Sequence, residues 1–423
     1  MRARRSRRRI ALGLAALVPT LVAIGALPAG AQATCSFDEP TGVVTITVAS
    51  NLPATVVRST DAIHLDGQAC GTATVANTDL IRVTGPGGGP EEIFTIDLSG
   101  GPFAPGLTTE SDADAEIEFE VTLGAASTLR IAGGTGDESF TVGSAGINLN
   151  AVEGTDDVDV TVTGGPAIEL LGREGTDTLS VAGGDGTGEA VSGVLVDGGA
   201  GDDTLIGLIG GSDLVGGDGA DTLDYSRVPE GIEADLTTGV VKPYTGDVDF
   251  VDTCEDVIGT AAKDILTGDA GANTLTGGDG DDTLDGRDGD DTLDGGPGRD
   301  TASFGGLRKA VVVDLRAGTA EGSGADTLIG IEDAEGSRKA DELTGNGDAN
   351  RLDGGAGADQ ITGRGGGDLL VGGDGNDDLF GGKGRDTLDA GAGRDVLDGG
   401  KSRDTCIPGK DPDAWSSCET VKL

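Results

Sequence analysis

The sequence holds a single histidine, His64, and aromatics make up only 3% of its 423 residues. A lone histidine excludes a His-rich zinc site, an HExxH metalloprotease and a catalytic triad built on any later histidine. So few aromatics, beside 79 glycines and 14 prolines, exclude one large globule around a conventional apolar core. Bases are scarce as well, 29 Lys+Arg against 74 Asp+Glu, for a formal net charge of −45. That field has the wrong sign for a nucleic acid or an anionic membrane surface. No GxSxG elbow occurs, which removes the usual serine-hydrolase signature. What remains favours hard cations held by oxygen ligands.

The one long apolar run, Ile10 to Leu27, follows Arg2, Arg4, Arg5, Arg7, Arg8 and Arg9 and precedes Ala31-Gln32-Ala33. A basic region, an apolar stretch and a small-x-small site read as a secretory signal over residues 1–33, with a mature chain from near Thr34. The rival reading, an uncleaved anchor, meets Pro19 and Pro28. Ser6-Arg7-Arg8-Arg9-Ile10 also fits a twin-arginine signal. Removal of the six arginines leaves 23 bases against 74 acids. The mature chain is therefore expected to be secreted and extracellular, without stable membrane insertion. In an oxidising compartment, two local bridges, Cys35 with Cys70 and Cys406 with Cys418, would close the chain ends. Cys254 is left over as a buried apolar side chain.

A nine-residue repeat fills the second half. From Gly336 it reads GSRKADELT, GNGDANRLD, GGAGADQIT, GRGGGDLLV, GGDGNDDLF, GGKGRDTLD, AGAGRDVLD and GGKSRDTCI; from Gly259, GTAAKDILT, GDAGANTLT, GGDGDDTLD, GRDGDDTLD and GGPGRDTAS; from Gly198, GGAGDDTLI, GLIGGSDLV and GGDGADTLD. Position 6 is Asp or Asn in fifteen of these sixteen units, the exception being Ser212. Glycines at positions 1, 2 and 4 form a turn, and positions 7 to 9 form a minimal strand with one inward side chain. Such a strand buries nothing alone, so units must stack, two per coil of a flattened solenoid.

On that geometry position 6 recurs on one edge every eighteen residues. The expected ladders are Asp203 and Asp221; Asp264, Asp282 and Asp300; Asn273 and Asp291; Asp341, Asp359, Asp377 and Asp395; and Asn350, Asp368, Asp386 and Asp404. Coils about 4.8 Å apart would set these carboxylates repelling by about 1 kcal/mol per pair even at a water-like dielectric. Calcium ions between the rungs reverse that sign, drawing on the aspartates and on carbonyls of the glycine turns. Multiple Ca²⁺ ions are the expected cofactor and partner.

The GGxGxDxUx pattern over about residues 198–407 resembles the RTX, or hemolysin-type, calcium-binding repeat. The resemblance implies an all-β fold, a right-handed parallel β-roll in which the GGxGxD turn carries the metal. It also implies weaker sites at Asn273 and Asn350, which lack charge, and at Asp264 and Asp341, whose turns lack their middle glycines. RTX arrays often trail a secreted enzyme, but His64 lies in a strand-like segment, and no catalytic constellation stands out.

The expected organisation is a signal (1–33), an N-terminal β-rich region with a cap (34–197), arrays at 198–224, 259–303 and 336–407, metal-free inserts at 225–258 and 304–335, and a C-terminal cap (408–423). The inserts resemble each other: Tyr225 to Gly239 aligns with Phe304 to Gly318, and Cys254-Glu255-Asp256 with Ile331-Glu332-Asp333. Strand-like alternation at Val43–Val48, Leu80–Val83, Ile93–Leu98, Ile117–Leu123, Thr128–Ile131, Val158–Val162 and Val191–Val196 leaves two forms for residues 34–197. These are a β-helix continuing the solenoid and a separate sandwich ending near Gly124. Trp415 is expected to lie over the end of the solenoid as a lid. The function this predicts is a secreted, calcium-folded structural or interaction module. The alternatives are a calcium-dependent hydrolase or polysaccharide-modifying enzyme with its site in residues 34–197, and an adhesin.

Overall fold

A computed structural model describes residues 33–49, 52–85, 93–101, 117–149, 158–183, 193–207, 211–244 and 247–422. The signal expected at the N-terminus lies, except for Ala33, outside the described residues, as do the first two residues of the strand expected at Val191–Val196. The described chain is all-β, with one 3-10 turn at Leu98–Gly100 and no α-helix.

Each T-L-D triplet places its leucine inward and its Thr and Asp outward, as the two-residue period of a strand requires. Thr204–Ile206 pairs parallel to Thr222–Asp224, and Ile265–Thr267 to Thr283–Asp285, each eighteen residues on. The leucines therefore stack. Leu205, Leu223, Val257, Leu275, Leu293 and Leu328 run down one sheet, and Leu266, Leu284, Ala302, Ala334, Leu352, Leu370, Leu388 and Cys406 down the other. All are buried and form one continuous core between two open sheets.

The N-terminal strands join the same two sheets. On one face Val43–Thr47, Leu80–Thr84, Glu118–Thr122 and Val160–Thr163 pair in parallel. On the other, Ala54–Ser59, Ile93–Asp97, Thr128–Ala132, Ala167–Glu174, Leu195–Ala200 and Asp213–Asp218 do so without a break into the first array. Coils shorten along the way, with registered partners 37 residues apart at Val43 and Leu80 and 18 apart at Leu195 and Asp213. Antiparallel strands cover the first coil: Thr34–Asp38 on one sheet, Ala62–Leu65 and Gln68–Thr74 on the other. The Cys35–Cys70 disulfide ties the two together, with Cα atoms 5.4 Å apart. His64 sits in this covering hairpin, opposite Val57.

Each insert adds a three-stranded meander to one face and a single strand to the other. In the first, Ile232–Asp235, Val240–Pro243 and Asp249–Asp252 are joined antiparallel, and Asp256–Ile258 continues the opposite sheet. In the second, Val312–Asp314, Thr319–Glu321 and Ala325–Ile329 repeat the meander on the other face. Tyr225 and Phe304, and Cys254 and Ile331, occupy equivalent buried places. At the C-terminus the Cys406–Cys418 disulfide closes the last coil. Trp415 takes the register of Leu397 on an end strand paired, among the described residues, with Val396–Lys401 alone, and is 47% exposed.

Candidate metal centre

The strand ladder fixes the turns, and the turns fix position 6. Every rung is linked to the next by one hydrogen bond, in which the backbone N–H of one aspartate donates to Oδ1 of the rung eighteen residues on. The distances are 2.8 Å for Asp203 to Asp221, 2.7 Å for Asp264 to Asp282 and 2.8 Å for Asp282 to Asp300. Asp341, Asp359, Asp377 and Asp395 form a continuous run at 2.8 to 2.9 Å, and Asn350, Asp368, Asp386 and Asp404 another at 2.9 Å. Asn273 joins Asp291 in the same way. The structure thus brings all fifteen expected residues into their ladders, each of them buried.

The ladders also extend through residues that sequence reasoning did not assign. Asp177 accepts from Glu138 and donates to Asp203. Asp249 and Asp326, inside the inserts, accept from Ser212 and Asp291. Glutamates Glu255, Glu332 and Glu419 accept from Asp221, Asp300 and Asp404, and Asp413 accepts from Asp395.

The N–H to Oδ1 bond leaves the second carboxylate oxygen to be accounted for. Among the described residues, Oδ2 of twelve aspartates is buried without a hydrogen-bond partner: Asp177, Asp203, Asp221, Asp282, Asp291, Asp300, Asp359, Asp368, Asp377, Asp386, Asp395 and Asp404. A buried, unpartnered oxygen is costly, and far more so when it carries charge. Burial accordingly pushes Asp282, Asp359 and Asp368 up to about 7, despite the N–H each accepts. It pushes Asp177, Asp221, Asp291 and Asp377 up to about 6. Neighbouring carboxylates add to the rise in each of these seven.

Whether Oδ2 is orphaned follows the backbone at position 2 of the same turn. That residue is left-handed in all twelve orphaned turns, as at Gly278 (φ +104°), Gly355 (φ +87°) and even Arg287 (φ +74°) and Arg364 (φ +71°). Glycine takes such a φ without steric penalty, whereas arginine accepts strain to do so. At Asp264 and Asp341 position 2 is Thr260 or Ser337 without a left-handed φ, and its N–H donates to Oδ2 at 2.6 Å. Asn273 and Asn350 likewise accept from Asp269 and Asn346 at position 2, at 2.8 and 2.9 Å. Four of the fifteen expected ligands therefore have their side-chain oxygens already engaged.

The orphaned turns fit a hard cation. Position 1 is glycine in eleven of the twelve and Ala390 in the turn of Asp395, and it lies close to the rung: a Cβ at Gly354 would be 2.6 Å from Asp359 Oδ2 and 2.8 Å from the Gly372 carbonyl oxygen. Carboxylate and carbonyl oxygen thus border the same small space, an all-oxygen donor set suited to Ca²⁺. Among the described residues no three His, Cys, Asp or Glu side chains converge, so backbone oxygens must complete any such site. Elsewhere protein groups take the place of a cation. The Tyr225 hydroxyl donates to Asp249 Oδ2 at 3.2 Å, and burial pushes the Cys254 thiol up to about 12, leaving it neutral and unsuited to ligation.

A family model described as the RTX calcium-binding nonapeptide repeat (4 copies) matches residues 197–227, 258–293, 267–302, 335–370 and 371–406. The matches fall on the expected arrays and leave residues 228–257 and 303–334 unmatched. No curated protein matches the chain.

Proposed function

From a chain that carries RTX calcium-binding nonapeptide repeats between residues 197 and 406, we propose an exported structural or interaction module in which the coils that carry orphaned rungs close only when Ca²⁺ occupies them. The observation that carries this reading is the set of twelve buried Oδ2 atoms without partners. Asp203, Asp221, Asp282, Asp291, Asp300, Asp359, Asp368, Asp377, Asp386, Asp395 and Asp404 would hold the metal, with Asp177 as a further rung upstream of the matched segments. When bound, calcium supplies positive charge that offsets the buried carboxylates.

The chain's own part is to present those oxygens in register. The leucine stack sets the spacing, the N–H to Oδ1 bonds orient each carboxylate, and left-handed position 2 leaves Oδ2 free of backbone donors. Without cations, the acidic turns repel and the thin core of one inward side chain per nine residues does not offset chain entropy. Low cytosolic calcium would keep the chain open for export, and millimolar calcium outside would close it by linkage. Calcium titration of chelator-treated protein, followed by far-ultraviolet circular dichroism, tests this. The reading expects a cooperative rise of sheet signal with calcium and a much weaker response to magnesium; full sheet signal in chelator would overturn it.

A further inference from the structure

The four engaged rungs among the fifteen expected ligands fall together, whereas Asp249 Oδ2 meets the Tyr225 hydroxyl inside the first insert and Asp413 Oδ2 accepts from Gly409 in the C-terminal coil. Asp264 and Asn273 occupy the two turns of residues 259–276, and Asp341 and Asn350 the two turns of residues 336–353. Each pair makes one whole coil, the first after an insert. In all four turns position 2 is a short polar residue whose side chain accepts the N–H of position 4. Ala262 donates to Thr260 Oγ1 at 3.0 Å, Gly271 to Asp269 Oδ1 at 2.7 Å, Lys339 to Ser337 Oγ at 3.0 Å and Asp348 to Asn346 Oδ1 at 2.8 Å. The side chain closes the turn on its own, as Ser, Thr, Asp and Asn do in Asx and ST turns.

The upstream side is satisfied as well. Oδ1 of Asp264 and Asp341 accepts from Ile232 and Val311, equivalent residues of the two inserts, at 2.6 and 2.7 Å. The Thr260 and Ser337 hydroxyls donate to the same oxygens. Asn273 and Asn350 donate Nδ2 to the carbonyls of Glu255 and Glu332 at 2.7 and 2.6 Å. Those two glutamates also end the preceding ladders through their side chains. The position-6 side chains of these two coils offer a cation no orphaned oxygen.

We propose that residues 259–276 and 336–353 are metal-independent starter coils, closed by hydrogen bonds alone, on which the calcium-requiring coils of the second and third arrays stack. This rests on the calcium reading above. Each insert then delivers a finished template edge, and the costly first turn of the second and third arrays does not wait for an ion.

Two measurements on the full chain test it. The first counts bound Ca²⁺ in the Asp264→Asn/Asp341→Asn variant and in the Asp282→Asn/Asp359→Asn variant. The expected result is an unchanged count in the former and a count lower by about two in the latter. An equal drop in both overturns the starter coils and leaves the calcium reading standing, whereas no drop in either overturns both. The second measurement needs no variant: hydrogen exchange of the unmodified chain in chelator. Protection at Leu266, Leu275, Leu343 and Leu352 above that at Leu284, Leu370 and Leu388 supports the proposal, and uniform exchange overturns it.

Discussion

The backbone N–H of Asp359 donates to Oδ1 of Asp377 at 2.9 Å, while Oδ2 of the same Asp377 is buried and meets no donor. One carboxylate is thus half satisfied by the coil before it and half reserved. Repeated along the ladders, this division makes the fold's stability depend on what reaches the second oxygen.

Protons can reach it. Because burial holds Asp282, Asp359 and Asp368 near 7 and Asp177, Asp221, Asp291 and Asp377 near 6, protonation favours the closed coil. That stabilisation is complete below about pH 4 and lost as pH rises through about 6 to 7. In chelator, circular dichroism should show sheet signal returning as pH falls from about 8 to about 5. With calcium present the same protons compete, so the calcium midpoint should rise over that interval.

Asp359→Asn should change sign with conditions. In chelator the neutral amide removes a buried charge and raises thermal stability; in saturating calcium it removes a ligand and lowers stability by about 1–3 kcal/mol. Paired melting curves with and without calcium check this, and a loss of stability in both conditions would contradict it.

Gly373→Ala meets two obstacles. The residue has φ +102°, and a Cβ there would run into the Gly355 carbonyl. The expected cost is about 1–3 kcal/mol. Gly347→Ala, whose Cβ would meet nothing within 4 Å, should change stability by less than about 0.5 kcal/mol. Denaturant melts in calcium separate the two.

Cys418→Ser opens a bridge spanning 12 residues, which should cost about 2–3 kcal/mol. Coils of a solenoid contact only their neighbours, so the loss should stay local. Hydrogen exchange should rise around Cys406 and Leu388 and remain unchanged at Leu284.

Much of this was legible because the repeat is strict. Nine-residue spacing with apolar position 8 specifies the leucine stack, and two units per coil specify which aspartates become rungs. Asp249 and Asp326 escaped notice because their rung partners, Ser212 and Asp291, lie 37 and 35 residues away, with a meander between. Asp177 stands in a legible unit, GREGTDTLS from Gly172, but its coil is 26 residues long, and the broken period hides it as a rung. Thr260 and Ser337 were visible as missing glycines, but that their N–H groups turn onto the rung carboxylates depends on backbone conformation, which composition does not encode. Trp415 takes a core register, yet only the edge position of its strand leaves it exposed.

Small-angle X-ray scattering of the full mature chain, in chelator and again after calcium is restored, tests the central claim most directly. The account predicts that without calcium the arrays are expanded, apart from the N-terminal coils and the two starter coils, and that the profile contracts to an elongated rod when calcium returns. An identical compact rod in both conditions would contradict it.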